Sequence, residues 1–132
     1  MPPNVRFDFV GVVDDVMPYL ALYDLLVLPS RLDGRPLIVL EALACGIPVI
    51  ASRVGGLPDL IIDDYNGYLC TPSALPEFFE HIVSLAGDKK KIETLKDGAR
   101  NFAELHLDSE VSYASYESAL YDAINYQKNK NI

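Results

Sequence analysis

The chain has 132 residues, half of them hydrophobic, and carries a formal net charge of −8 from 19 acidic against 11 basic side chains. That length suits one domain with a single core, by the usual size of roughly 100 to 200 residues. The acidic balance argues against nucleic acid or an anionic membrane as partner, since the only basic cluster, Lys89-Lys90-Lys91, is short and lies in a polar, linker-like stretch.

In chain order, Val5 to Val10 reads as a strand, Asp14 to Tyr23 as a short helix with Pro18 in its first turn, and Leu25 to Leu28 as a second strand ended by Pro29-Ser30. Pro36 to Cys45 reads as a helix, opened by its proline and closed by Gly46 with Pro48 just beyond. A third strand follows at Val49 to Ser52. Gly55-Gly56 then feeds a short helical turn over Leu57 to Ile62, Asn66-Gly67 marks a tight turn, and Tyr68 to Cys70 is a fourth short strand.

From Pro76 onward the pattern is helical. Phe78, Phe79, Ile82, Val83, Leu85 and Ala86 make one face, and Ile92, Leu95, Ala99, Phe102 and Ala103 another. The last segment, Ser109 to Gln127, predicts a long amphipathic helix with Val111, Tyr113, Tyr116, Leu120, Tyr121 and Ile124 on its apolar side. Unbroken runs such as Leu25-Leu26-Val27-Leu28 and Pro48-Val49-Ile50-Ala51 suit strands buried on both faces. Their alternation with helices predicts an α/β fold: a Rossmann-like, doubly wound parallel sheet with a helical C-terminal tail, whose ligands bind beyond the carboxyl ends of the strands.

No apolar run approaches the roughly 20 residues needed to cross a bilayer, and Met1-Pro2-Pro3-Asn4 is not the basic head of a signal peptide, so a cytoplasmic chain is expected. Cys45 and Cys70 sit in apolar segments without metal-type or CxxC spacing, which reads as two reduced thiols.

The helix from Pro36 to Cys45 is apolar almost all round, which predicts burial, and Glu41 is its one charge. A buried carboxylate must meet a cation, several donors or a ligand, and a vicinal diol such as a ribose supplies two donors. Asp33 stands in the loop leading into the same helix, so the two carboxylates bracket a positive dipole end that can face phosphate. A ligand with an anionic middle and hydroxylated ends fits that layout, as a nucleotide sugar does. The alternatives are that Asp33 is only a turn or cap residue, and that Glu41 pairs with Arg31, Arg35 or Arg53. Gly55 and Gly56 suit either a close chain approach near phosphate or a plain tight turn.

The stretch Pro29-Ser30-Arg31-Leu32-Asp33-Gly34-Arg35-Pro36-Leu37-Ile38-Val39-Leu40-Glu41-Ala42-Leu43-Ala44-Cys45-Gly46-Ile47-Pro48-Val49-Ile50-Ala51-Ser52 strongly resembles the core signature of glycosyltransferase family 4. The likeness extends upstream through Val5, Gly11 and Asp15 and downstream through Val54 to Asp59, Asn66 to Leu69 and Pro72, close over residues 5 to 75 and looser in the helical tail. It implies the C-terminal, donor-binding domain of a GT-B type, retaining enzyme that moves a hexose from a UDP- or GDP-sugar to a glycan, lipid or other acceptor, as in polysaccharide biosynthesis.

In that family two glutamates are separated by seven intervening residues, the first on the transferred sugar and the second on the ribose. Asp33 matches the first position, with Asp in place of Glu, and Glu41 matches the second. The resemblance further implies that the backbone of Gly34, Arg35, Pro36 and Leu37 lies along sugar hydroxyls and phosphates, and that Gly11 and Val12 flank the base. It implies no cofactor and no metal; Asp14-Asp15 and Asp63-Asp64 are adjacent pairs in turn-like contexts rather than a DxD motif, and His81 and His106 are expected on the surface, far from the signature.

Family members have a further N-terminal acceptor domain, and their donor domain opens with a strand and helix carrying an Arg and a Lys for the diphosphate. The chain is expected to lack both and to transfer nothing alone. Self-association through Tyr113, Tyr116 and Tyr121 of the last helix is also expected, and the full-length enzyme admits a peripheral place on the inner membrane. A dinucleotide-binding dehydrogenase domain is disfavoured, because no GxGxxG follows a strand. The remaining alternative is a non-catalytic interaction module that keeps the donor-domain fold.

Overall fold

The enclosed run Val49–Ser52 forms the middle of the structure, a computed structural model that describes residues 5–110, 117–119 and 125. In chain order the elements are α1 (Met17–Leu20), β1 (Leu26–Leu28), α2 (Leu37–Ala44), β2 (Val49–Ser52), a 3₁₀ turn (Leu57–Asp59), β3 (Gly67–Cys70), α3 (Leu75–Ala86) and α4 (Lys89–His106). The three strands form a parallel sheet in the order β1-β2-β3, with Val27 opposite Ile50 and Ile50 opposite Tyr68.

Both faces of the sheet are covered, as unbroken apolar strands require. Side chains alternate along β2: Val49 and Ala51 join Val39, Ala42 and Leu43 of α2 and Ala99, Phe102 and Ala103 of α4 in one cluster. Ile50 faces the other way, into a second cluster with Tyr68, Cys70, Phe78, Leu85 and Leu95. The α/β, doubly covered parallel architecture is therefore the one the sequence predicts.

Asn66 joins the strands to what surrounds them. It is fully buried. Its amide donates to the Leu60 carbonyl at 2.9 Å, its side-chain oxygen accepts from the Ile62 amide at 2.7 Å, and its backbone carbonyl accepts from the Val49 amide at 3.1 Å. Nearby, α4 crosses so close that a methyl group on Gly98 would overlap the Tyr65 carbonyl.

Several expectations need correction. Val5 to Val10 form no strand; Phe7 and Phe9 are 63% and 97% exposed. Alternation gives only a preference for extended backbone, which a neighbouring ladder must stabilise, and these residues have none. Their one cross-link, Arg6 to Asp8 at 2.9 Å, is solvent-exposed and contributes little. The helix expected over Asp14 to Tyr23 contracts to α1, with the Asp15 carboxylate accepting from the Met17 amide at 3.0 Å.

Lys89-Lys90-Lys91 is no linker. It is the first turn of α4, which starts there because the Asp88 carboxylate accepts from the Lys91 amide at 2.9 Å. The apolar face of α3 is narrower than its sequence suggests: Phe78, Ile82 and Leu85, at helical spacing, face inward, whereas Phe79 and Val83 are mostly exposed. The tyrosine-rich segment and its expected role in self-association fall largely outside the described residues. Both cysteines are free thiols, and burial pushes the Cys70 thiol up to about 11. Among the described residues no helix is long and apolar enough to cross a membrane.

Replacing Asn66 with Ala removes two buried hydrogen bonds and strands their backbone partners. Urea unfolding should show a loss of about 2 to 4 kcal/mol for Asn66→Ala, against less than about 0.5 kcal/mol for Asp59→Ala on the exposed 3₁₀ turn.

Candidate functional site

The loops that follow β1 and β2 meet beyond the carboxyl ends of these strands. The Gly56 amide donates to the Gly34 carbonyl at 2.6 Å. Gly55 takes φ +54, and a methyl group there would overlap the Asp33 carbonyl. The glycine pair is both a turn and a close approach of one chain segment to another. The expected short helical turn follows directly and is a 3₁₀ turn over Leu57–Asp59.

This contact presents the start of α2. Pro36 occupies the cap position with extended backbone (φ −66, ψ 126), and no side chain caps the helix. Gly34, Arg35 and Leu37 are exposed, so the first turn and its positive dipole end are open to an anion. Asp33 does not cap the helix either. Its side chain is partly buried, and among the described residues its carboxylate accepts only a long bond from the Ser30 hydroxyl, at 3.4 Å. The opposite end of α2 is closed: Gly46 takes φ +71, and the Arg100 guanidinium donates to the Ala44 carbonyl at 2.6 Å.

α2 is not buried all round. Val39, Ala42 and Leu43 are enclosed, but Ile38, Leu40, Glu41 and Ala44 are partly open and Leu37 is 71% exposed. Among the described residues the sheet, α4 and Leu20 of α1 pack on its enclosed side. On the open side lies a groove of about 450 Å³ lined by Met17, Arg35, Leu40, Glu41, Ala44, His106 and Leu107. Among the described residues, no Lys, Arg or His forms an ion pair with Glu41. Arg53, one of its proposed partners, reaches Asp63 at 3.5 Å instead.

The structure thus joins Asp33 and Gly34 to the Gly55-Gly56 turn, and Arg35 to Glu41 in one groove. Gly11 and Val12 are not gathered in: Gly11 (φ +74) has open space around its α-carbon, and Val12 is fully exposed.

His106 corrects its expectation. It is exposed, but it packs on Phe102 with ring centroids 4.7 Å apart and lines the Glu41 groove, 65 positions along the chain from Glu41. No sequence signal pairs the two; only the packing of α4 on α2 does. His81 is partly buried, stacked on Tyr68 at 4.1 Å. The Tyr68 hydroxyl donates to Asp64 at 2.7 Å and holds that carboxyl below its ordinary range, with Lys91 3.6 Å away. This cluster ties β3 to α3 and α4.

Two buried groups at the strand ends offer no nucleophile. Cys70, at about 11, stays a neutral thiol near neutrality. The Ser52 hydroxyl is enclosed without a hydrogen-bond partner among the described residues, and alternation puts it on the Ile50 face, away from α2.

Known proteins resemble the chain over this region. The family model described as glycosyl transferases group 1 matches residues 3–88. The N-acetyl-alpha-D-glucosaminyl L-malate synthase of Bacillus anthracis is 34% identical over 127 residues, 96% of this chain and 33% of that protein. A D-inositol 3-phosphate glycosyltransferase of Jonesia denitrificans is 36% identical over 102 residues, 76% of this chain and 24% of that protein.

Among solved structures, Anabaena HepE in complex with UDP superposes with a TM-score of 0.80 at 27% identity, over 86% of this chain and 32% of that one. The C-terminal domain of a glycosyl transferase group 1 family protein (LpcC) from Francisella tularensis superposes with a TM-score of 0.69 at 25% identity, over 78% of this chain and 53% of that one. The chain spans about a third or less of the length of these curated relatives.

The contact between the two loops can be tested without any ligand. Gly55→Ala meets both a positive φ and the Asp33 carbonyl, and should cost about 2 kcal/mol or more in urea unfolding. Gly34→Ala has open space and should stay within about 0.5 kcal/mol of wild type.

Proposed function

The chain belongs to the glycosyl transferases group 1 family, and on that premise we propose that it is the donor-binding part of a retaining glycosyltransferase, holding a nucleoside diphosphate sugar for transfer of a hexose to a glycan, lipid or other acceptor. The observation that carries this is the Glu41 carboxylate, partly buried and without an ion pair among the described residues, in a groove that also holds Arg35 beside the open N-terminus of α2. Further support comes from the similar Anabaena HepE, solved with UDP, with UDP-glucose, and with UDP and glucose.

In this proposal Glu41 accepts from the two ribose hydroxyls, a use that suits an acceptor-only group. The diphosphate lies against the α2 N-terminus and Arg35, along the backbone of Gly34 to Leu37, so its charge is met by amides and a guanidinium and no metal is needed. Asp33, on the other side of that end, accepts from the transferred sugar. Gly11 and Val12 are proposed to flank the base. No protein nucleophile takes part; the leaving phosphate helps deprotonate the acceptor on the same face of the sugar, which retains configuration. The acceptor is held by another domain, so this chain alone transfers nothing.

Calorimetric titration with UDP, GDP and their sugars tests the assignment. Glu41→Ala should weaken nucleotide binding about tenfold or more, the loss of bonds to a charged acceptor, whereas Asp33→Ala should weaken the sugar nucleotide and leave UDP or GDP nearly unchanged. Equal nucleotide affinity in wild type and Glu41→Ala refutes the ribose role. Absence of saturable binding to any nucleoside diphosphate favours a non-catalytic interaction module, and turnover by the chain alone contradicts its assignment as a donor-binding part only.

A further inference from the structure

Each outer strand of the three-stranded sheet has one side turned away from β2, and the two sides differ. On β3 the Asn66 and Cys70 carbonyls accept from the Val49 and Arg53 amides, so alternation turns the Leu69 amide outward. There it donates to the Asp63 carboxylate at 2.8 Å, and Asp63 also bridges to Gly67, which closes that edge. On β1 the Leu26 amide donates to the Pro48 carbonyl at 3.0 Å, which turns the Val27 amide and carbonyl outward. Neither has a backbone partner among the described residues. Leu26-Val27-Leu28 also carries none of the charges, prolines or bulges that blunt a free edge. A groove of about 470 Å³ lies beside the start of this strand, lined by Leu25 with Ile82, Leu85 and Ala86 of α3 and Ile92 of α4. Leu25 and Val27 are accordingly only half-buried against the cluster that encloses Ile50.

The same chain carries a strand-type segment without a ladder. Val5, Phe7 and Phe9 alternate with Arg6, Asp8 and Val10, a pattern that suits a half-buried strand, yet all three are exposed. No backbone–backbone hydrogen bond holds residues 5–10 among the described residues. We propose that the chain pairs with a second copy of itself by strand exchange: residues 5–10 of each copy extend the other's sheet at the β1 edge, bonding to Val27, with Phe7 and Phe9 laid on the groove. Main-chain bonds to an open edge supply affinity, and alternate side chains supply specificity. The occupant is a second copy because the chain offers one unladdered segment for each open edge, and a mutual exchange closes at two copies. Four phenylalanines cover roughly 500 Å² of their own surface and about as much of the surface they meet, which reaches the roughly 1,000 Å² that a specific interface needs. Edge and groove lie on the sheet face opposite α2, so nucleotide at Glu41 is not needed for pairing.

Sedimentation of the whole chain over a range of concentrations, with amide hydrogen exchange read at Phe7, Phe9 and Val27, tests the exchange. Wild type should pass from monomer to dimer as concentration rises, and the three amides should slow together in the dimer. Phe7→Glu combined with Phe9→Glu should weaken dimerisation roughly hundredfold or more. Both side chains are exposed in the single chain, so its circular dichroism spectrum should not change. Phe79→Glu, at a similarly exposed position on α3, should leave dimerisation as in wild type. A wild type that stays monomeric at every concentration overturns the proposal, including one whose own residues 5–10 close the edge and protect Val27. So does a dimer that the double substitution leaves intact, or one that Phe79→Glu weakens equally.

Discussion

The contact between Gly55-Gly56 and Asp33-Gly34 is the constraint from which the site follows. Two loops that leave neighbouring parallel strands would otherwise diverge into solvent. Here a 2.6 Å backbone hydrogen bond and a glycine with positive φ bring them into contact. Asp33 is held where Gly55 packs against its carbonyl, beside the hydrogen-bonded Gly34, while its side chain has, among the described residues, only the long bond from Ser30. The entry into α2 is thereby set without a capping side chain on its terminal amides.

The rest of the scaffold holds α2 from behind. Val39, Ala42 and Leu43 bury against the sheet and α4, Arg100 closes its C-terminal end, and Asn66 links the central strand to the chain beneath. Fixing both ends and one side leaves the groove side of the helix open among the described residues. A carboxylate there costs less than one in the core, because solvent still reaches it, yet among the described residues no cation pairs with it as a structural role would require. Partial burial therefore makes Glu41 easier to tolerate and better suited to binding than the fully buried group its sequence suggests.

Much of this was legible from local signals. The strand runs at Leu26–Leu28 and Val49–Ser52 and the proline and glycine at either end of α2 act over a few residues and appear where their chemistry puts them, whereas the turn expected at Asn66-Gly67 falls at Asp64 to Asn66, with the positive φ at Asp64, and Gly67 already opens β3. What was not legible depends on distant neighbours. Alternation in Val5 to Val10 does not tell whether a ladder lies alongside, and an all-apolar α2 does not tell which side stays uncovered. Burial of Asn66 and the reach of Arg100 to Ala44, 56 positions away, are likewise products of packing. For the site, Asp33, Arg35 and Glu41 were readable from spacing and resemblance, while Met17, His106 and Leu107 enter only because α1 and α4 flank α2.

The same geometry explains why one short helix can serve two chemically different tasks. Its exposed first turn offers amides and a positive dipole end, which attract phosphate without an induced charge on the protein. One and a half turns later the same surface offers a carboxylate, which repels phosphate but accepts from hydroxyls. Separation along the helix axis, rather than a change of fold, keeps the two from interfering. An Asp at position 33 places a second carboxylate in the loop on the other side of that helix end, one methylene shorter than the glutamate of the resembling family, and the close approach of Gly55 to the Asp33 carbonyl fixes the backbone from which it extends.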